Sequence, residues 1–382
     1  MKAILTVCRI ELARVFSLKP AFAVLIVASV IYAAFYPQPY RTEALRDVPI
    51  AVVDLDGTAS SRELARRVDA SADVAVGALF PDQASATQDV FARNLYGVLV
   101  IPRYFERDLL HHRRSPVALY ADASYFLIYQ RLSGGVTAVA RTMGAEVETA
   151  RLIAAGVDPA LAAAAADPMP LTTVALFNPQ GGYATYILPA AFVLILQQTL
   201  LIGVGLLGTY RNDQVRTGLA ATAGPAAIVG GKLLAYLILE TVITSFYLVA
   251  LPYLYHIPRL GSPLSISMFA LPFALAVSGL GLVLARLFRD PLTVQLVSAA
   301  LGIPFLFLAG FSWPTEAIPP FLRAVATLLP STSATTGLVA VSQMGASIAD
   351  VRQPFLTLWV LAAGYSAIAI LLESRSRGVT VP

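Results

Sequence analysis

The chain has 382 residues, 57% of them hydrophobic and 13% charged, with a mean hydropathy of +0.71. Soluble domains carry about 25% charged residues, so this composition excludes a wholly soluble protein and points to a membrane one. The net charge of +4 is small and dispersed, which argues against nucleic-acid binding. Cys8 is the only cysteine, which rules out an intrachain disulfide and a cysteine-built metal site.

Residues 1–19 form a rough amphipathic helix. Lys2, Thr6, Arg9 and Ser17 share one side, and Ile4, Leu5, Cys8, Leu12 and Val15 another, with Glu11 interrupting the apolar arc. The pattern predicts a cytoplasmic interfacial helix on the inner leaflet. Pro20–Tyr36 follows, near the roughly 17–25 apolar residues a spanning helix needs. Its charged lead-in, from Lys2 to Lys19, is long for a signal peptide, so the segment is expected to be an uncleaved anchor and the first transmembrane helix, residues 20–36.

Residues 37–183 are polar and read as an α/β domain. Pro49–Asp56, Val74–Phe80, Tyr96–Pro102 and Val117–Asp122 are strand-like, and Ser61–Ala70, Gln83–Asn94 and Tyr104–His112 between them are helical. Ser60 or Ser61 is placed to cap the first of these helices. An Ala-rich stretch over Tyr125–Ala166 predicts one or two helices, and the strings DPMP and NPQGG form a turn-rich connector.

Five further apolar windows follow, Ala184–Gly208, Ala226–Leu254, Ser267–Leu287, Leu292–Trp313 and Pro354–Leu372. If all six windows span, Lys2, Arg9, Arg14 and Lys19, then Arg211, Arg216 and Lys232, then Arg286 and Arg289, then Arg375 and Arg377 fall on one side. His256 and Arg259 oppose them weakly. The positive-inside rule makes that side the cytoplasm. Both termini are then cytoplasmic and residues 37–183 extracytoplasmic, and the Ala- and Arg-rich, Lys-poor usage suggests a GC-rich bacterial genome, so the expected setting is a bacterial cytoplasmic (inner) membrane. The fold class is a polytopic α-helical membrane protein with six transmembrane helices and an α/β extracytoplasmic domain inserted between helices 1 and 2.

Three strings resemble phosphate chemistry. Asp54-Leu55-Asp56-Gly57-Thr58 resembles the first motif of haloacid dehalogenase-like phosphatases, in which the first Asp is a nucleophile and the second an acid–base group. The region has no lysine and no later acidic pair for magnesium, so a strand end with turn formers is the better reading. Leu132-Ser133-Gly134-Gly135-Val136 resembles the signature of ABC ATPases, but without a Walker loop it reads as a glycine-tolerant bend in an Ala-rich helix. Gly224–Leu234 approaches a P-loop, yet Ala226 stands at the first glycine and Leu233 at the Ser/Thr position. Lys232 there reads as a snorkelling inner-face anchor.

The ordered layout resembles the ABC-2 family of export permeases, in the subgroup with a large domain after the first helix. The resemblance is carried by VPIAVVDLDGTASSRELARRVDAS, by YGVLVIPRYFERDLLHHRRSPVALYADAS, by NPQGGYATYILPA before the second span, and by AGFSWPTEAIPPFLRAVATLLPST. The last is similar to a re-entrant external hairpin, here near 311–332, within a five-helix transmembrane domain over residues 184–382. One departure is the loop after the second span, YRNDQVRTGLAATAGP, where the family tends to show Glu-Arg-Glu and then Gly-Thr.

The resemblance implies half of a translocation pathway, without an enzymatic activity or nucleotide site of its own. ATP is held by the partner, a cytosolic ABC ATPase subunit. A second permease copy or paralogue completes the pathway in the lipid bilayer, a periplasmic adaptor is an optional further partner, and neither nucleic acid nor a cofactor bound directly to the chain is implied. Arg211, Asn212, Asp213, Gln214, Arg216, Gly224 and Pro225 are candidates for the ATPase-coupling loop. Glu240 is a carboxylate inside an apolar span, expensive there and so a functional candidate, for lining the path, pairing with Gln197 or Gln198, or sitting near the inner interface. Gln197, Gln198 and Gln295 are path candidates too, though helix–helix hydrogen bonds are the commoner use of such amides. Two alternatives stand beside transport: a membrane-anchored phosphatase using Asp54, and a non-transporting surface receptor.

Overall fold

The computed structural model describes residues 1–210 and 223–378 and divides into two compact units, Met1–Glu43 with Ala175–Pro382, and Ala44–Val174. Helix α1 spans Lys2–Ser17. Leu18 is extended and ends it, and Pro20 sits in the first turn of the next helix, where its missing N–H costs nothing. That helix, α2, runs over Lys19–Tyr40 and widens into a π stretch at Ala23–Ala28.

The second unit alternates strand and helix: β1 (Val48–Asp54), α3 (Ala59–Asp69), β2 (Val74–Leu79), α4 (Gln83–Phe91), β3 (Gly97–Ile101), α5 (Phe105–Leu110), β4 (Ala118–Ala121), α6 (Phe126–Ala154) and α7 (Pro159–Ala166). The sheet order is β2-β1-β3-β4, with β1 parallel to both neighbours and β4 antiparallel to β3. Ile50 and Val52 of β1 pack with Leu64 and Val68 of α3 and Leu132 and Val136 of α6. Ala51 and Val53, pointing the other way, pack with Ala86 of α4. A parallel strand covered on both faces needs an unbroken apolar run, which is what Ile50-Ala51-Val52-Val53 supplies.

The strand ends in a turn built by its two aspartates. The Asp54 carboxylate accepts the Asp56 N–H at 3.0 Å, the Gly57 N–H at 2.9 Å and the Ser61 hydroxyl at 2.7 Å. Thr58 is the cap of α3, accepting the Ser61 N–H at 3.3 Å while its own N–H reaches Ser61 Oγ at 2.9 Å. The cap therefore falls on Thr58 and not on Ser60 or Ser61, because Ser61 is engaged by Asp54. Asp56 accepts the Thr58 hydroxyl at 2.6 Å and the Glu106 N–H at 3.0 Å, and Glu106 in turn accepts the Ser60 hydroxyl at 2.8 Å. Burial pushes the Asp56 carboxyl up, but the Thr58 hydroxyl and the N–H groups of Glu106, Tyr104 and Phe105 outweigh it and hold it below the usual carboxylate range. Both aspartates and Glu106 thus spend their oxygens on the start of α3 and α5, where a bound phosphate would otherwise seek N–H donors.

The Leu132–Val136 string also has a structural role. Helix α6 runs through it unbroken, so the expected bend is absent. A Cβ on Gly135 would lie 3.0 Å from Asp73 Cβ and 3.2 Å from Val74, so glycine lets α6 approach the start of β2.

Among the described residues, the first unit continues with helices α8 (Tyr183–Thr209), α9 (Pro225–Leu254), α10 (Pro263–Phe288), α11 (Pro291–Leu308), α12 (Pro320–Ala326), α13 (Pro330–Gln343) and α14 (Arg352–Gly378). Six of the described helices, α2, α8, α9, α10, α11 and α14, are long and apolar enough to cross a membrane. Helix α8 is the most enclosed, and Phe192, Leu196, Leu200 and Val204 along it are fully buried in the main core. Helix α11 breaks at Leu301, where Pro304 has no N–H to return to the Ala300 carbonyl.

Helices α12 and α13 meet at 80°. The hairpin expected near 311–332 continues as helix to Gln343, and Ala334, Leu338 and Val341 are buried in the main core. Its Ser and Thr residues lower the hydropathy of α13, yet Ser331, Thr335 and Ser342 are themselves buried. Small hydroxyl side chains suit close helix packing in an apolar medium, which a hydropathy scan does not register.

Candidate functional site

The site is assembled at the end of the helical unit where α8 stops and α9 begins. Helix α1 lies against the first turns of α9: Val7, Ala3 and Ile10 pack with Ala223, Ala227 and Ile228. The two helices approach so closely that a Cβ on Gly231 would lie 2.7 Å from both the Ile4 carbonyl oxygen and Val7 Cβ. Glu11, which interrupted the apolar arc of α1, is on this packed face and fully buried.

Burial of a carboxylate requires partners, and Glu11 has them. Arg14 binds it at 2.7 Å, and the Tyr236 hydroxyl of α9 donates to it. Arg14 also donates to the carbonyl oxygens of Leu207 and Tyr210, at 2.9 Å each. These belong to the last turn of α8, where a cation meets the negative end of the helix dipole and carbonyls that lack a helical donor. Lys232 is buried as well, and the charges acting on it are those of Glu11, Arg286, Glu373 and Arg14. Arg286 of α10 pairs with Glu373 of α14. One cluster of buried or half-buried charges therefore joins α1, α8, α9, α10 and α14.

One expectation is corrected by this arrangement. Lys232 is no snorkelling anchor, because its side chain is buried. Helix α1 packs Val7 and Glu11 toward α9 while Leu5 and Phe16 stay exposed. The sequence carried two signs of this: a carboxylate in the middle of an apolar arc, and Lys232, Tyr236, Glu240 and Thr244 at four-residue spacing, which sets them on one face of α9. All four are buried.

The coupling-loop residues Arg211, Asn212, Asp213, Gln214 and Arg216 lie outside the described residues. Gly224 and Pro225 are described: the Gly224 carbonyl accepts the N–H groups of Ala227 and Ile228, and Pro225 starts α9. Helix α1 thus holds both ends of segment 211–222, through Arg14 at the last carbonyls of α8 and through Val7 and Ile4 at the start of α9.

The four path candidates separate. Glu240 is buried and accepts from the Thr244 hydroxyl, one turn on, at 3.3 Å. It does not pair with Gln198, whose amide donates to the Ser298 carbonyl at 2.6 Å and so joins α8 to α11. Gln197 is buried with no hydrogen-bond partner for either amide atom among the described residues, so it does not pair with Glu240 either. Gln295 is exposed on α11 beside Leu292 and Leu296.

The opposite end of the same helices is built differently. The Glu43 carboxylate caps α8, accepting the Thr185 N–H at 3.3 Å and its hydroxyl at 2.9 Å, and Gln343 donates to the Thr185 carbonyl. Tyr36, Tyr40, Tyr183 and Tyr186 form a chain of tilted rings with centroids 5.6–6.1 Å apart. Tyrosines at both ends of apolar helices mark the level of a membrane interface.

Comparison with known proteins agrees with a transport role. The linearmycin resistance permease protein LnrN of Bacillus subtilis (strain 168) is 24% identical over 371 residues, covering 92% of this chain and 94% of that protein. Residues 20–371 match the model for ABC-2 family transporter proteins, and the chain belongs to that family.

Proposed function

We propose that this transporter permease works as half of an ATP-driven exporter, with the energy supplied by a separate cytosolic ATPase. The observation that carries this is α1 fastened to both ends of segment 211–222. A partner pressing on Arg211, Asn212, Asp213, Gln214, Arg216, Gly224 or Pro225 would move α1, and with it the charge cluster on α9, α10 and α14. A second copy or a paralogue faces this one to complete the pathway. Both termini and the 211–222 segment face the cytoplasm and residues 37–183 the outside, as the arginine distribution favours. The α/β unit is then an extracytoplasmic domain inserted after the first span and available to an adaptor. Glu240, Gln197 and Gln295 are the polar groups offered to the pathway, and Gln198 braces α8 against α11.

The relative's name makes export of a toxic compound the reading to test first. Co-expression with its cognate ATPase should give a complex that copurifies, ATP hydrolysis that depends on the permease, and resistance to linearmycin or a similar agent. An ATPase that neither binds the permease nor changes its rate in its presence would overturn the coupling.

A further inference from the structure

The stretch from α7 to the start of α8, residues 159–182, has an unusual surface. Leu161, Met169, Leu171, Val174 and Leu176 are between 66% and 85% exposed. Over residues 159–177, PALAAAAADPMPLTTVALF, the only formal charge is Asp167. The C-terminal half of α6, just before it, shows what a watered surface looks like in the same chain, with Arg141, Glu146, Glu148 and Arg151. A surface meant for water mixes charges of both signs, and a run of large exposed apolar side chains marks a contact.

Chain connectivity says with what. Phe177 stands six residues before Tyr183, the first residue of α8. Six residues reach at most about 20 Å, so the end of the stretch is tethered near the membrane surface wherever α8 enters the bilayer. Tyr183 and Tyr186, with Tyr36 and Tyr40, set that level at the start of α8.

The backbone sets the depth. Beyond the Asp167 N–H, which bonds to Ala163, no N–H group from Met169 to Phe177 has a hydrogen-bond partner among the described residues. Irregular backbone without internal partners cannot enter the hydrocarbon core, yet it is satisfied by water and headgroups at the interface. Apolar side chains that favour lipid and a backbone that needs water meet only at that level.

We propose that residues 169–177 lie in the headgroup–acyl boundary as an interfacial strap, with Met169, Leu171, Val174 and Leu176 inserted toward the acyl chains. The proposal rests on the reading that α8 spans the membrane. It assigns a lipid surface, and not another protein, as the partner of this patch.

The test uses the full-length protein in nanodiscs. In a Cys8→Ser background, a single environment-sensitive fluorophore is attached at Leu171→Cys, and at Leu176→Cys as a second probe. Ala84→Cys, exposed on α4, serves as the watered control, and Val242→Cys and Val360→Cys, exposed on α9 and α14, serve as spanning controls. Lipids carry nitroxides at the headgroup, the upper acyl chain or the bilayer centre. The expected result is a blue-shifted emission at 171 and 176, with the largest loss of intensity from the headgroup and upper-chain nitroxides. The Ala84 probe should be unshifted and unquenched, and the Val242 and Val360 probes should be quenched most from the centre. Probes at 171 and 176 that behave like Ala84, or that shift without being quenched by any lipid, would overturn the strap in favour of water or a protein cover. Failure of the Val242 and Val360 probes to be quenched from the centre would instead strike the spanning reading, and the strap with it.

Discussion

The two ends of the helical unit solve the same problem, holding α8 to its neighbours, by different chemistry. At one end Glu11, Arg14, Lys232, Tyr236, Arg286 and Glu373 bring charge against charge inside the protein. At the other, a half-buried carboxylate caps a helix and four tyrosines stack along α2 and α8. Buried charges depend on one another, since each pays its desolvation only through the others. Cap and ring contacts are local, and losing one leaves the next in place. The difference teaches that the end next to segment 211–222 is cooperative, while the end next to the interface is a sum of parts.

The sharpest way to break that contrast is Glu11→Ala. It leaves Arg14 enclosed without its carboxylate and takes away an anion acting on the buried Lys232, and removal of one partner from a buried pair costs about 3–5 kcal/mol. Thermal unfolding in detergent should fall accordingly. The double variant Glu11→Ala with Lys232→Met should lose less than the sum of the singles, because the orphaned charge is gone. Strict additivity would show that the cluster is not one unit.

A smaller effect tests the packing beneath the charges. Gly231→Ala would place a Cβ 2.7 Å from the Ile4 carbonyl and force α1 away from α9, at a cost of about 1–3 kcal/mol. Gly230→Ala, one residue earlier, meets nothing within 4 Å. Without a clash, exchange of a helical glycine for alanine is stabilising by about 0.4–1 kcal/mol. Opposite signs at adjacent residues, read by thermal unfolding and by permease-stimulated ATP hydrolysis, would locate the α1 contact on Gly231. At the far end, Glu43→Ala should cost only about 0.5–2 kcal/mol, the worth of a helix cap, and should not change with substitutions at Glu11.

How much of this was legible beforehand follows from what each signal depends on. The six apolar helices are visible because hydrophobic length is a local property, and the helix-bearing sheet because Ile50-Ala51-Val52-Val53 and its neighbours are local runs. Helix α13 was missed because its serines and threonines dilute the hydropathy, although Ser331 and Thr335 are buried by their neighbours. The cluster was missed because its members are far apart in the chain: Glu11 meets Tyr236, and Arg286 meets Glu373, only after folding. Glu11 reads in the sequence as a break in an apolar arc and Lys232 as an anchor, and only the fold shows both buried at the same end of the helical unit. Segment 211–222, where coupling was expected, bears on the site through its two flanks.

The smallest expected effect lies in the α/β unit and separates a turn-forming aspartate from a catalytic one. Asp56 is held below the ordinary carboxylate value of 3.8 in the folded chain. A depressed carboxyl stabilises the fold above its unfolded value and loses that contribution as the pH falls through the lower folded value. Wild type should therefore be more stable than Asp56→Asn at neutral pH, and the gap should close as the pH drops below 3.8. Asp54→Asn should behave as a weakened turn, since one oxygen still accepts from Asp56 N–H or Gly57 N–H while the Ser61 hydroxyl can use the other side chain atom only by turning round as an acceptor. If the aspartates only shape the β1–α3 turn, both variants leave permease-stimulated ATP hydrolysis at the wild-type rate once compared at equal folded fraction. Magnesium-dependent phosphatase turnover by the wild-type chain, abolished by Asp54→Asn at unchanged stability, would return the string to chemistry and undo the turn as its explanation.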